Sequence, residues 1–135
     1  MHFIFDLIRK ILRGNLYNEP VSLWGNGHQS REIVHVQDFV SQLLVLAEVQ
    51  NNLIVNIGAG CEYTIREFAQ KICEITEYPF LKIQFDESKY VGAKSKVLCI
   101  ERLRGFLPHY ASISLDDGLR QTIDWFMQES GILLA

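Results

Sequence analysis

Apolar positions near the start of the chain recur at helical spacing. Ile4, Leu7, Ile8, Ile11 and Leu12 share one face, and Asp6, Arg9, Lys10 and Arg13 take the other. This predicts an amphipathic helix with Gly14-Asn15 as its stop. Val21-Ser22-Leu23-Trp24 then reads as a strand, Gly25-Asn26-Gly27 as a tight turn, and residues 32–36 as a second strand. Asp38 is expected to cap a helix whose Phe39, Val40, Leu43, Leu44 and Ala47 line one face. The run Leu53-Ile54-Val55-Asn56-Ile57 is apolar apart from Asn56 and ends at Gly58-Ala59-Gly60. Such continuity predicts a strand covered on both faces, the usual condition in a parallel sheet.

In the second half, Thr64 and Glu67 form a T-x-x-E capping box ahead of Ile65, Phe68, Ala69, Ile72 and Ile75, and Pro79 closes that helical region. Leu81-Lys82-Ile83-Gln84-Phe85 alternates strictly and predicts a half-buried strand. A polar loop follows from 86 to 96, then a short helix within 97–107. A last helix is capped by Ser114, Asp116 and Asp117 and carries Leu115, Leu119, Ile123 and Phe126. Residues 131–135 are an apolar tail without a pattern, so residues 1–130 are read as one domain.

At 135 residues, with 48% hydrophobic and 21% charged positions, the chain is expected to build one modest core. A net charge of -3 gives no basic footprint, which argues against nucleic acid as a partner and requires any anionic ligand to meet local positive charge. Cys61, Cys73 and Cys99 are odd in number and lack ligand spacing, so neither a disulfide framework nor a zinc site is expected. The first helix is too short and too charged to span a membrane and no export signal is read, so a cytoplasmic protein is expected. His2, His28, His35 and His109 are scattered, with no nucleophile or acid at a catalytic spacing.

Four blocks in order carry a family resemblance. They are Trp24-Gly25-Asn26-Gly27-His28-Gln29-Ser30-Arg31 with Val36 and Asp38; Asn56 to Gly60 with Tyr63-Thr64-Ile65; Phe85 to Lys89 with Gly92 to Lys96; and Ser114 to Leu119 with Thr122 to Phe126. Together they resemble the NAD-dependent epimerase/dehydratase family, extended short-chain dehydrogenase/reductases acting on nucleotide-sugars, and within it the fucose-type synthases. The resemblance implies an α/β fold: a small mixed sheet with four or five helices, the C-terminal, substrate-binding part of that architecture without its main dinucleotide-binding half.

By the same resemblance, Arg31 faces the diphosphate of a nucleotide-sugar, since a guanidinium fork matches phosphate oxygens. A structural ion pair with Glu32 or Asp38 is the alternative. Trp24 either packs on a base or sugar or belongs to the core. Lys96, with Lys94 as the alternate, aligns with a basic residue that reaches the phosphates, although a solvated lysine loop is the competing reading. Relatives commonly have K-P-D-G where Lys89-Tyr90-Val91-Gly92 stands here. The glycines of residues 58–60 are expected to turn the chain rather than cradle a phosphate.

Intact relatives use NAD or NADP, held by a glycine-rich turn, and a catalytic tyrosine/lysine pair. Neither is identified in this chain, so no cofactor is expected to bind it and no catalytic residue is assigned. The expectation is a truncated or partial epimerase-like protein that binds a nucleotide-sugar without catalysing alone. The alternatives are an oligomeric interaction protein that keeps only the fold, and half of a split enzyme completed in trans. Because the 53–57 strand would lack its sheet neighbours, either a homo-oligomer or a chain carrying the dinucleotide-binding half is expected to cover it.

Overall fold

A computed structural model describes residues 2–49, 52–129 and 131. The elements are α1 (Phe3–Tyr17), β1 (Ser22–Trp24), β2 (Ser30–Arg31), α2 (Val36–Val49), β3 (Tyr63–Thr64), α3 (Ile65–Thr76), a 3-10 turn (Phe80–Lys82), β4 (Gln84–Asp86), α4 (Glu101–Phe106) and α5 (Leu115–Gln128). β1 runs parallel to β4 in the register Leu23 opposite Phe85, and β2 runs antiparallel to β3 with Arg31 opposite Tyr63. The fold is thus α/β with five α-helices and a small, mixed set of strands, as expected.

The main core lies where α1, α3 and α5 pack together over β1. Ile8, Ile11, Phe68, Ile72, Leu119, Ile123 and Phe126 fill it, with Val21, Leu23 and Ile83 from the strand side. Two helices are fixed by their first turns. Thr64 accepts from the Glu67 N–H while Glu67 accepts from the Thr64 N–H, completing the capping box at the start of α3. Ser114 Oγ accepts from the Asp117 N–H at the start of α5. A smaller cluster of Leu46, Ile100 and Leu103, with Leu53, Val55, Ile57 and Leu107 against it, sits apart from the main core.

Several expected elements have different bounds, each for a tertiary reason. α1 runs through Gly14 to Tyr17 and ends on Asn18 in the left-handed region. Gly14 is a close-approach point: a Cβ there would lie 2.5 Å from Val21 Cγ2. The strand expected at 32–36 is instead β2 at Ser30–Arg31, because its partner β3 reaches only that far. α2 begins at Val36, so Asp38 is not its cap; its buried carboxylate accepts from the Ile113 N–H at 2.8 Å and the Tyr110 hydroxyl at 3.2 Å. Residues 53–57 belong to no sheet among the described residues, although Leu53, Val55 and Ile57 face the smaller cluster and Ile54 is 85% exposed.

The alternation at 81–85 is broken after Pro79 by the 3-10 turn, which leaves Leu81 96% exposed while Ile83 is buried. The short helix expected within 97–107 occupies its second half as α4. Of the apolar tail, residues 132–135 lie outside the described residues.

Candidate functional site

The carboxyl ends of the parallel strands β1 and β4 lie side by side, with Trp24 opposite Asp86 and the Gly25 N–H donating to the Asp86 carbonyl at 2.7 Å. In parallel α/β sheets, this end of the strands is where ligands bind. The turn that follows is made by Gly25 and Gly27, both at positive φ (75° and 78°), where other side chains would be strained. A Cβ on Gly25 would also strike the Val91 side chain, so the departure from the family pattern at Val91 is seated directly over this glycine. Arg66 braces the turn from α3. Its Nε donates to the Asn26 carbonyl at 2.7 Å, and its guanidinium lies 3.9 Å from the centroid of the Phe85 ring.

Arg31 forms neither of the two acid pairs considered from the sequence. Its Nη1 donates to the Ser30 carbonyl at 2.6 Å and the Ala93 carbonyl at 2.9 Å, and its Nη2 to the Val91 carbonyl at 3.3 Å. Neutral carbonyls hold the guanidinium in place without cancelling its charge. The Ser30 N–H donates to the Lys94 carbonyl and the Glu32 N–H to the Lys96 carbonyl, so residues 94–96 run alongside β2. The Lys94 and Lys96 side chains are exposed, and neither lysine nor Arg31 has a carboxylate partner among the described ion pairs. Trp24 is 60% exposed, which removes its core-packing reading.

The structure thus places Trp24 on β1 and Arg31 on β2, in two separate two-stranded ladders, with the glycine turn between them in sequence and the lysine-bearing segment alongside β2. One cleft, about 640 Å³, lies beyond β2 and is lined by residues including His35, Asp38, Cys61, Tyr63, Ile113 and Thr122. Another, about 450 Å³, shares Glu32, Ile33 and Val34 with it and is lined by Lys96 as well. Trp24, Arg31 and Lys94 line neither of these two clefts.

Glu32 is the residue that sequence reasoning missed. Its carboxylate accepts from the Gly60 N–H and the Leu98 N–H, both at 2.6 Å, and so ties three segments together. No spacing in the sequence signals this, because both partners are backbone amides. It also decides how the Gly58-Ala59-Gly60 turn fits a dinucleotide. The Gly60 N–H that a pyrophosphate would need is already taken by a carboxylate, and a Cβ on Gly58 would lie 2.5 Å from that carboxylate. The turn does not fit a phosphate cradle and is architectural.

Two tyrosines do have a lysine four residues on, Tyr78 with Lys82 and Tyr90 with Lys94, which corrects the expectation that the chain contains no such pair. Neither pair lies on one helix. Tyr78 follows α3 and is buried, with Pro79 between it and the 3-10 turn that ends at Lys82. Tyr90 is 87% exposed in a loop that turns at Gly92. Neither arrangement supplies the rigid geometry of an acid/base couple. Burial pushes the Cys73 thiol up to about 11, consistent with an inert core thiol.

The pattern of the NAD dependent epimerase/dehydratase family matches residues 1–58. The GDP-L-fucose synthase of Escherichia coli is 33% identical over 138 residues, covering 94% of this chain and 42% of the synthase. The chain is related to the NAD-dependent epimerase/dehydratase family. GDP-L-fucose synthase 1 of Arabidopsis thaliana is 36% identical over 113 residues, covering 82% of this chain and 34% of that one. Among solved structures, a GDP-L-fucose synthetase from Naegleria fowleri bound to NADP superposes with a TM-score of 0.88 at 19% identity, over 96% of this chain and 41% of that chain. UDP-glucose 4-epimerase from Thermotoga maritima with UDP-glucose gives 0.81 at 25% identity, over 96% and 40%. The chain thus spans about two-fifths of the length of these relatives. Among the described residues, no helix is long and apolar enough to cross a membrane.

Proposed function

We propose that this chain is a partial nucleotide-sugar epimerase/dehydratase-like protein that binds the diphosphate of a nucleotide-sugar and does not catalyse alone. The observation that carries the reading is the guanidinium of Arg31, fixed by three carbonyls and uncompensated by any carboxylate in the described structure. In a chain of net charge -3, a half-buried cation without an acid partner favours an anionic ligand. Its Nε–H and second Nη2–H make no hydrogen bond to described residues, which leaves one edge of the fork for phosphate oxygens. Lys94 and Lys96 add charge along the adjoining segment, and the exposed Trp24 offers a flat face for a base or sugar. Its relatives, GDP-L-fucose synthases and an epimerase solved with UDP-glucose, support a nucleoside diphosphate as the common element.

Calorimetric titration with GDP, UDP, dTDP and their sugars tests this. The expected result is binding of one nucleotide class that weakens with salt and is lost in Arg31→Ala. A well-folded chain that binds none of them would overturn it. The second reading, an interaction protein that keeps the fold without a ligand, is favoured by a different region, the outward face of α2.

A further inference from the structure

The loop after β4 is anchored at several points. The Asp86 carboxylate accepts from the Ser88 N–H and hydroxyl, and the Lys89 N–H donates to the Asp86 carbonyl. Val91 is pinned on two sides: its side chain lies against Gly25, and its carbonyl accepts from Arg31 Nη2. The Ala93 carbonyl accepts from Arg31 Nη1, and the Lys94 carbonyl from the Ser30 N–H. Between these attachments stands Tyr90, whose ring is exposed and packs on no other ring among the described residues. A large ring held in solvent on a fixed backbone contributes nothing to the core.

Its place beside the candidate site does give it a use. Val91 touches both parts of that site, the glycine after Trp24 through its side chain and Arg31 through its carbonyl. Trp24 and Tyr90 are therefore the chain neighbours of two residues in contact, Gly25 and Val91. Both rings are exposed and they do not stack on each other, so a face of each is open to a ligand. Two aromatic faces suit a flat heteroaromatic ring, which stacks on both of its sides. A sugar ring is puckered and rimmed by hydroxyls, and has no second flat face to offer.

We propose that Tyr90 and Trp24 hold the base of the bound nucleotide between them while Arg31 holds its diphosphate. Tyr90 is then a ligand-binding residue that sets preference for the base. This rests on the nucleotide-binding reading above. It is particular to this sequence, because the related K-P-D-G pattern has a proline, without an aromatic face, where Tyr90 stands. Tyrosine has only two side-chain torsions to fix, and with its loop already anchored the entropy cost of ordering it is small.

The test is calorimetric titration with GDP, UDP and dTDP against inorganic pyrophosphate, which has two linked phosphates and no base. The readout is the ratio of nucleoside diphosphate affinity to pyrophosphate affinity, in the unaltered chain and in Tyr90→Phe, Tyr90→Ala and Tyr90→Pro. The expected ratio falls at least about tenfold, or about 1.4 kcal/mol, in Tyr90→Ala and Tyr90→Pro, and stays within about twofold in Tyr90→Phe, which keeps the ring. Arg31→Ala, by contrast, should weaken pyrophosphate and nucleotide alike. An unchanged ratio in Tyr90→Ala would overturn the proposal and leave the Arg31 reading in place. So would a fall in Tyr90→Phe as large as that in Tyr90→Ala, or pyrophosphate binding as tightly as every nucleoside diphosphate. Binding of neither pyrophosphate nor nucleotide would overturn both, so the two failures are distinct.

Discussion

α3 and α2 have similar lengths and each carries a clean apolar stripe, yet only one of them faces the core. α3 is capped by its own first turn and buries Ile65, Phe68, Ala69, Ile72 and Cys73. α2 has a comparable stripe turned to solvent and is held by Leu46 in the smaller apolar cluster and by Asp38, which reaches across to Tyr110 and Ile113. Amphipathic spacing thus identifies a face that needs cover, without saying which part of the assembly covers it. The two halves of the molecule are stabilised differently as a result. The main core surrounds α3, whereas α2 meets a smaller apolar cluster and the Asp38 hydrogen bonds, and β2 is tied by the carboxylate of Glu32 and the guanidinium of Arg31.

Truncating a core side chain gives the largest effect. Phe68→Ala removes a fully buried ring on α3 and should cost about 3–5 kcal/mol in urea unfolding. A cost near that of an exposed site would mean that the α3 side is not the core. On the α2 side, Asp38→Ala orphans the Ile113 N–H and should cost about 1–3 kcal/mol, part of it recovered in Asp38→Asn, which keeps one acceptor oxygen. Equal losses in the two variants would assign the effect to charge rather than to the hydrogen bond.

Thr64→Ala breaks the α3 capping box and should cost about 1 kcal/mol. The Thr64 backbone N–H, then its hydroxyl, holds the Glu67 carboxyl below the usual carboxylate range. Its stabilising contribution is therefore present above the unfolded value, about 4.3, and fades as pH falls through the lower folded value. Removing the Thr64 hydroxyl should make the loss of stability below that pH shallower. The smallest effect is expected for Leu44→Ser in the chain alone. At an exposed position it should change stability by no more than about 0.5 kcal/mol. A large loss there would show α2 already covered and erase the contrast with α3.

What the sequence made legible was local. The Thr64/Glu67 box, the face of α1 and the Ser114 cap depend on residues within a few positions of each other, and all three stand as read. What it hid was decided across the chain. β2 is short because β3 is short, and 53–57 has no ladder because no neighbouring strand lies among the described residues. Gly14 looked like a stop because nothing local shows that Val21 packs against it. At the candidate site, the positions of Arg31 and Trp24 were named from family resemblance. Arg31's actual partners, the carbonyls of Val91 and Ala93, sit some sixty residues away on a loop whose approach no local pattern encodes.

The two amides held by Glu32 bear on the order of folding. Its bond to Gly60 closes a loop of 28 residues and its bond to Leu98 one of 66. Each closure removes chain entropy that a single hydrogen bond cannot offset, so neither contact forms before the helices have brought the segments near. The carboxylate is thus a latch between the segments around β2, and its two bonds depend on the packing that brings residues 60 and 98 near it.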